Sequence, residues 1–196
     1  MQASMATQGI DGLLLMTEPE LHYFSGFQTL FWQSPTRPWF LFVPASGKPI
    51  AIIPEIGAEL MSLGWLDDVR TWSAPRPKDD GISLLAELLL PLALKGARLG
   101  IMKGHETLLR MPLGDWELLI NKLPGLEIED ATGLVQGLRM VKSEAEIAKL
   151  EHICRVGSAA FASVPEFVKY VQFRLSGKFL ANNFAKSREG LVINSP

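Results

Sequence analysis

The sequence predicts an α/β domain, a mixed sheet with helices on both faces, followed by a helix and a tail. Three observations carry this. Two apolar runs, Trp39 to Val43 and Ile50 to Ile53, flank the turn chemistry of Pro44-Ala45-Ser46-Gly47, which reads as an antiparallel hairpin. After the hairpin, short apolar runs alternate with longer segments of helical character. Finally, Ser143 and Glu146 form an S-x-x-E capping box ahead of a long helical stretch. In such a box the serine hydroxyl takes one free helix N–H and the glutamate reaches back to another.

In chain order, residues 1–8 read as the end of a helix with Gly9 as its stop. Leu13, Leu14 and Leu15 mark a buried strand within 11–16. Thr17-Glu18-Pro19 starts a helical turn that carries Leu21 to Phe24 and ends at Gly26. After the hairpin, Glu55 to Leu63 predicts a helix and Val69 to Trp72 a short strand. Ala74-Pro75-Arg76-Pro77 predicts a rigid loop, since proline lacks an N–H. Asp79 or Asp80 is placed to cap a helix over 82–94, which Pro91 should kink or shorten. A strand over 98–102, a helix over 113–122 and a strand over 127–130 follow. Thr132 is read as the cap of a short helix to Leu138. The implied organisation is a domain over 1–140, a linker helix over 141–164 and an atypical tail over 165–196.

At 196 residues, 47% apolar and 20% charged, the chain has the balance of a globular protein with a sizeable core. Its net charge of −2 gives no electrostatic case for nucleic acid or an anionic membrane. The run Leu84 to Leu94 is too short to cross a bilayer, which needs about 20 apolar residues. No basic-then-apolar leader opens the sequence, so a cytoplasmic protein is expected. The single cysteine, Cys154, forms no internal disulfide and reads as a small buried residue on a helix. Charge reverses along the chain. Residues 1–164 hold fourteen basic and nineteen acidic side chains, whereas 165–196 hold five basic and two acidic. The tail, with Phe167, Tyr170, Phe173, Phe179 and Phe184 in no clear period, reads as a helix extension followed by poorly ordered chain, with an independent folded unit as the alternative.

Motifs for phosphate binding and for a serine nucleophile elbow do not occur. His22, His105 and His152 fall in no metal-ligand spacing. His105, in Lys103-Gly104-His105-Glu106, follows a predicted strand, where α/β folds place ligands, although an exposed loop histidine explains it as well. His22 reads as half-buried packing and His152 as a surface or helix-packing residue. The paired carboxylates Asp67-Asp68 and Asp79-Asp80 are explained by capping and solvation.

The segment Phe27 to Trp39 stands apart. It carries Phe31, Trp32 and Trp39 with Gln33 and Arg37 as donors, and Arg37 has the fork that pairs with a carboxylate through two parallel hydrogen bonds. Aromatics with an arginine describe an interface or substrate rim. A loop folded onto its own domain is the competing description.

These residues resemble a known family. Tyr23-Phe24-Ser25-Gly26-Phe27 is similar to the YLTGF turn in the N-terminal domain of the creatinase, prolidase and aminopeptidase P family. The runs Phe40 to Pro44 and Pro49 to Pro54 fit that domain's hairpin. Leu138-Arg139-Met140-Val141-Lys142-Ser143 with Glu146-Ile147 resembles the family's L-R-x-x-K-S/T-x-x-E-I/L junction into the catalytic domain. The resemblance spans roughly residues 1–164. It implies a three-layer ribonuclease H-like domain, normally followed by a pita-bread domain. That second domain holds a dinuclear divalent metal site with two Asp, one His and two Glu, and the metals activate water against an amide or related C–N bond.

After Ile147 this chain offers only Glu151, Glu166, Glu189 and His152, and no aspartate. The expectation is therefore a non-catalytic N-terminal domain without the catalytic half, with no catalytic residue, metal or cofactor of its own. The resemblance further implies a homodimer in which this domain borders the partner's active site. It makes Trp32, Gln33 and Arg37 candidates for the rim around a peptide or small-amide substrate. A stand-alone binding or oligomerisation module of the same fold is the alternative. A small enzyme with a site near His105 and Glu106 is the third reading.

Overall fold

The computed structural model describes residues 1–34 and 37–175. The chain forms two compact units that part between Val141 and Lys142. The first holds a six-stranded sheet of β1 (Gly12–Leu15), β2 (Phe40–Pro44), β3 (Ile50–Pro54), β4 (Asp68–Trp72), β5 (Arg98–Ile101) and β6 (Glu127–Asp130). Their spatial order is β4-β3-β2-β1-β5-β6. β2 runs antiparallel to both of its neighbours, and every other pairing is parallel. Five strands therefore point one way and β2 alone points the other. The mixed α/β sheet expected from the sequence is the one observed.

Side-chain alternation sorts the core into two layers, because successive strand residues face opposite sides of a sheet. Leu13, Leu15, Leu41, Val43, Ala51 and Ile53 lie in one cluster. Leu14, Phe40, Phe42 and Ile52 lie in the other. The first face is covered by α1 (Gln2–Gln8), α2 (Glu18–Ser25), α3 (Ala58–Ser62) and α6 (Thr132–Met140), through Met5, Leu21, Met61, Leu134 and Val135. The second is covered by α4 (Ile82–Ala93) and α5 (Leu113–Lys122), through Ile82, Leu85, Leu89 and Leu119. This makes three layers. It also explains why the central strands read as near-continuous apolar runs, since both of their faces are buried.

The two edge strands differ from the centre. Asp68 and Arg70 on β4 pair at 2.9 Å. β6 carries Glu127, Glu129 and Asp130 within four residues. Glu129 is held at 2.9 Å by Arg98, whose Nη1 also donates to the Gln8 and Gly9 carbonyls and so ties the end of α1 to β5.

Helix starts follow local chemistry. At α2, the Glu20 carboxylate accepts the Met16 and Thr17 N–H groups, which is the returning arm of a capping box. At α4, Asp79 accepts the Ser83 N–H at 3.0 Å, and the helix runs two residues beyond Pro91. At α6 the expected role of Thr132 is corrected. Asp130 does the capping, accepting from both the N–H (2.9 Å) and the hydroxyl (2.6 Å) of Thr132, which is already helical. These two bonds hold the Asp130 carboxyl below its ordinary range. A carboxylate so close to the helix start displaces the weaker hydroxyl acceptor.

The second unit begins with α7 (Glu144–Leu175). The Ser143 and Glu146 box is present: Glu146 accepts from the Ser143 N–H at 2.8 Å, and the Glu146 N–H approaches the Ser143 hydroxyl at 3.4 Å. The helix expected over 143–164 continues through Pro165 to Leu175. The expectations for 176–196, including Phe179 and Phe184, lie outside the described residues. Cys154 is exposed rather than buried, as are Ile147, Leu150 and Ile153 around it.

Candidate functional site

The YLTGF-like turn has a clear physical basis. α2 ends at Gly26, which takes a left-handed φ of 77° while its N–H reaches the His22 carbonyl at 2.8 Å. The buried Ser25 hydroxyl donates to the Leu21 carbonyl and accepts the Phe27 N–H. The chain is thereby turned so that Phe27 enters the core. His22 is corrected from half-buried packing: it is exposed, with its Nε2 2.7 Å from Gln28 Nε2.

From Phe27 the chain runs through a short 3-10 helix, Leu30–Gln33, to β2. Because β2 alone is antiparallel, this loop arrives at the carboxyl ends of the other five strands, the end where open α/β sheets present ligands. Phe27, Trp32 and Trp39 stack as one group, with centroids 5.3–6.4 Å apart. Trp32 is buried within the chain's own core. The residues facing solvent beside it are Leu30, 83% exposed, and Phe31, 42% exposed. The loop thus folds onto its own domain through Trp32 and still offers an apolar pair outward. The Gln33 side chain lies outside the described residues.

Arg110, on the loop between β5 and α5, organises this segment. Its guanidinium carbon sits 4.8 Å from the centroid of the Trp32 ring, a cation–π arrangement. Nη1 donates to the Arg37 carbonyl at 2.6 Å. Nη2 donates to the Trp32 carbonyl at 3.3 Å and also to the Ser34 carbonyl. Burial lowers its pKa, and Glu18 partly offsets this. Arg37, expected to offer a guanidinium to a carboxylate, enters instead through its backbone carbonyl and is half-buried. Sequence reasoning passed over Arg110. The available signal was a lone charge in the apolar run Leu108-Leu109-Arg110-Met111 ahead of Pro112.

Next to the loop, a cavity of about 300 Å³ is lined by Ser25 to Gln28 from the α2 turn and by Leu60, Met61, Leu63 and Gly64 from α3 and its end. Leu60 (46%) and Leu63 (79%) are exposed on its rim. Its polar equipment is sparse, because the Ser25 hydroxyl and the Gly26 N–H are already committed.

His105 is exposed, in a loop closed by the Gly104 N–H on the Thr132 hydroxyl (2.9 Å) and the Thr107 hydroxyl on the Gly104 carbonyl (2.6 Å). His152 lies exposed on α7. Among the described residues, no three His, Cys, Asp or Glu side chains are grouped to hold a metal ion. These residues therefore do not fit the two-metal centre that the resemblance implies for a catalytic domain. Among the same residues, no helix is long and apolar enough to cross a membrane.

Comparison with known proteins agrees with this description. Residues 1–141 match the Creatinase/Prolidase N-terminal domain. A creatinase from Bacillus sp. (strain B-0618) is 26% identical over 166 residues, which cover 84% of this chain and 38% of the creatinase. The prolidase from Thermococcus sibiricus superposes with a TM-score of 0.69 at 20% identity, over 84% of this chain and 42% of that one. The Creatinase/Prolidase N-terminal domain of an X-Pro dipeptidase from Streptococcus pyogenes superposes with a TM-score of 0.53 at 17% identity, over 69% of this chain and 93% of that one. The chain thus spans less than half the length of the creatinase and of the prolidase. With its sheet order, its α2 turn and a match over residues 1–141, the chain belongs to the creatinase/prolidase N-terminal domain family.

Proposed function

We propose that residues 1–141 serve as the non-catalytic N-terminal domain of a Xaa-Pro peptidase or creatinase-like metallohydrolase, contributing a dimer contact and restricting access of a peptide or small-amide substrate. The observation that carries this reading is the outward apolar surface at the carboxyl ends of the strands. Leu30 and Phe31 follow the α2 turn, and Leu60 and Leu63 border the adjoining cavity. A soluble domain that keeps large apolar side chains exposed beside a cavity does so for a contact. The rigid support beneath, Trp32 packed on Phe27 and Trp39, limits the entropy lost when that contact forms.

The rim role expected of Trp32 is accordingly indirect, since Trp32 supports Leu30 and Phe31 from below. Hydrolysis belongs to a metal-bearing catalytic domain, and no step of it is assigned to the described residues. Sedimentation equilibrium on the full chain tests the contact. The expected result is a concentration-dependent dimer that Phe31→Asp with Leu63→Asp converts to monomer. A dimer indifferent to both substitutions would remove the support for this surface. Fusion of residues 1–141 to a pita-bread domain tests the restriction. The same substitutions should then widen the range of peptide lengths cleaved.

A further inference from the structure

Arg110 is buried, yet its hydrogen bonds in the loop region go to backbone carbonyls, those of Trp32, Ser34 and Arg37. These acceptors lie 73 to 78 residues away in sequence. Carbonyls carry no side-chain identity, so the guanidinium reads the path of the chain there. Among the described residues no strand pairs with this loop, and without the fork those carbonyls would turn to water. The Trp32 face beneath the same group fixes the fork's height above the core. Two loops at the carboxyl end of the sheet, one before β2 and one after β5, are thereby joined by one side chain.

We propose that Arg110 is a positioning residue, which sets the backbone of the loop between α2 and β2 so that Leu30 and Phe31 are presented in a single arrangement to a second copy of the chain. This rests on the contact surface put forward above. A planar, five-donor guanidinium suits the task, whereas a lysine offers a point charge that cannot span three carbonyls from its place over the Trp32 ring. Arg110→Met keeps most of the apolar stem and removes the fork. Arg110→Lys keeps the charge.

The test is hydrogen exchange on the full chain, with the dimer dissociation constant measured alongside. Leu89→Ala, on the opposite face of the sheet, serves as a stability control. In Arg110→Met, amide exchange over 28–39 is expected to rise at least about tenfold while strand amides change far less. Arg110→Lys should fall between it and the wild type. The dimer constant should weaken in Arg110→Met and hold in Leu89→Ala. Unchanged exchange over 28–39, or a rise spread evenly over 1–141 as in Leu89→Ala, would overturn the positioning role. If the wild-type chain is monomeric, the contact reading fails and the exchange result still decides whether Arg110 sets the loop.

Discussion

Two helices, α4 and α7, have similar apolar patterns and opposite fates. On α4, Ile82, Leu85, Ala86, Leu89 and Ala93 recur at helical spacing and are buried, with Leu85 and Leu89 at 0% exposure. On α7, Ile147, Leu150, Ile153 and Cys154 recur at similar spacing, and Leu150 is 49% exposed. The period states that a face is available for covering. Whether it is covered depends on a neighbour, and α4 has the second face of the sheet with α5 beside it. Helix start chemistry is sound in both, so capping does not explain the difference.

This contrast can be broken most forcefully by matched truncations. Leu89→Ala should destabilise the first unit by about 2–5 kcal/mol, while Leu150→Ala should stay within about 0.5 kcal/mol. All five tryptophans lie in residues 1–141, so urea unfolding followed by tryptophan fluorescence reads that unit alone. Equal shifts would mean that the α7 face is covered after all. Next in size is Gly81→Ala, immediately before α4. Gly81 has a φ of 84°, and a Cβ would meet the Trp72 ring at 2.6 Å. A loss of about 1–3 kcal/mol is expected in the same assay, and a neutral result would show that the start of α4 shifts freely.

Ser143→Ala tests the start of α7. Losing the box should cost about 1 kcal/mol locally. The expected signature is faster amide exchange over 144–147 with the fluorescence transition unmoved. Movement of that transition would instead couple the two units. The smallest effect concerns α5, which packs beside α4. Burial, then repulsion from Asp80 and Asp79, raises the Asp115 carboxyl above its ordinary value. The fold therefore disfavours the charged form. That penalty is absent below the unfolded-state pKa and fully present above the folded one. Asp115→Asn should gain up to about 0.5 kcal/mol at neutral pH, given its partial exposure, and nothing once the carboxyl is protonated in both states. A gain of equal size at acid pH would assign the effect to packing.

The fold was largely legible because its strongest signals are local. The triple leucine of β1 and the hairpin of β2 and β3 announce buried strands, and Ser143 with Glu146 marks the start of α7 in the order found. Less was legible where the outcome depends on a distant partner. Cys154 reads as a small buried residue on a helix, and it is exposed on α7. The site was half visible. Trp32 and Trp39 could be read as aromatics that the loop hides, but Phe31, read with them, faces solvent and Phe27 takes its place in the cluster; the α2 turn could be read as a motif. Arg110 could not be assigned, because its acceptors are main-chain carbonyls, which every residue but the shape of the loop leaves identical. Thr132 was misread because Asp130, two residues upstream, is the stronger acceptor and lies close enough to win.

The charged edge strands have a further consequence. A sheet grows by adding a strand to an edge that is flat, apolar and unpaired. Here one edge is β4, carrying the Asp68 and Arg70 pair, and the other is β6, with Glu127, Glu129 and Asp130. A second β6 laid against the first would set carboxylates against carboxylates. The domain can therefore be held at high local concentration without zipping into an extended sheet. Any association it makes is channelled to helices and loops, the surfaces where a specific contact can be distinguished from an open-ended one.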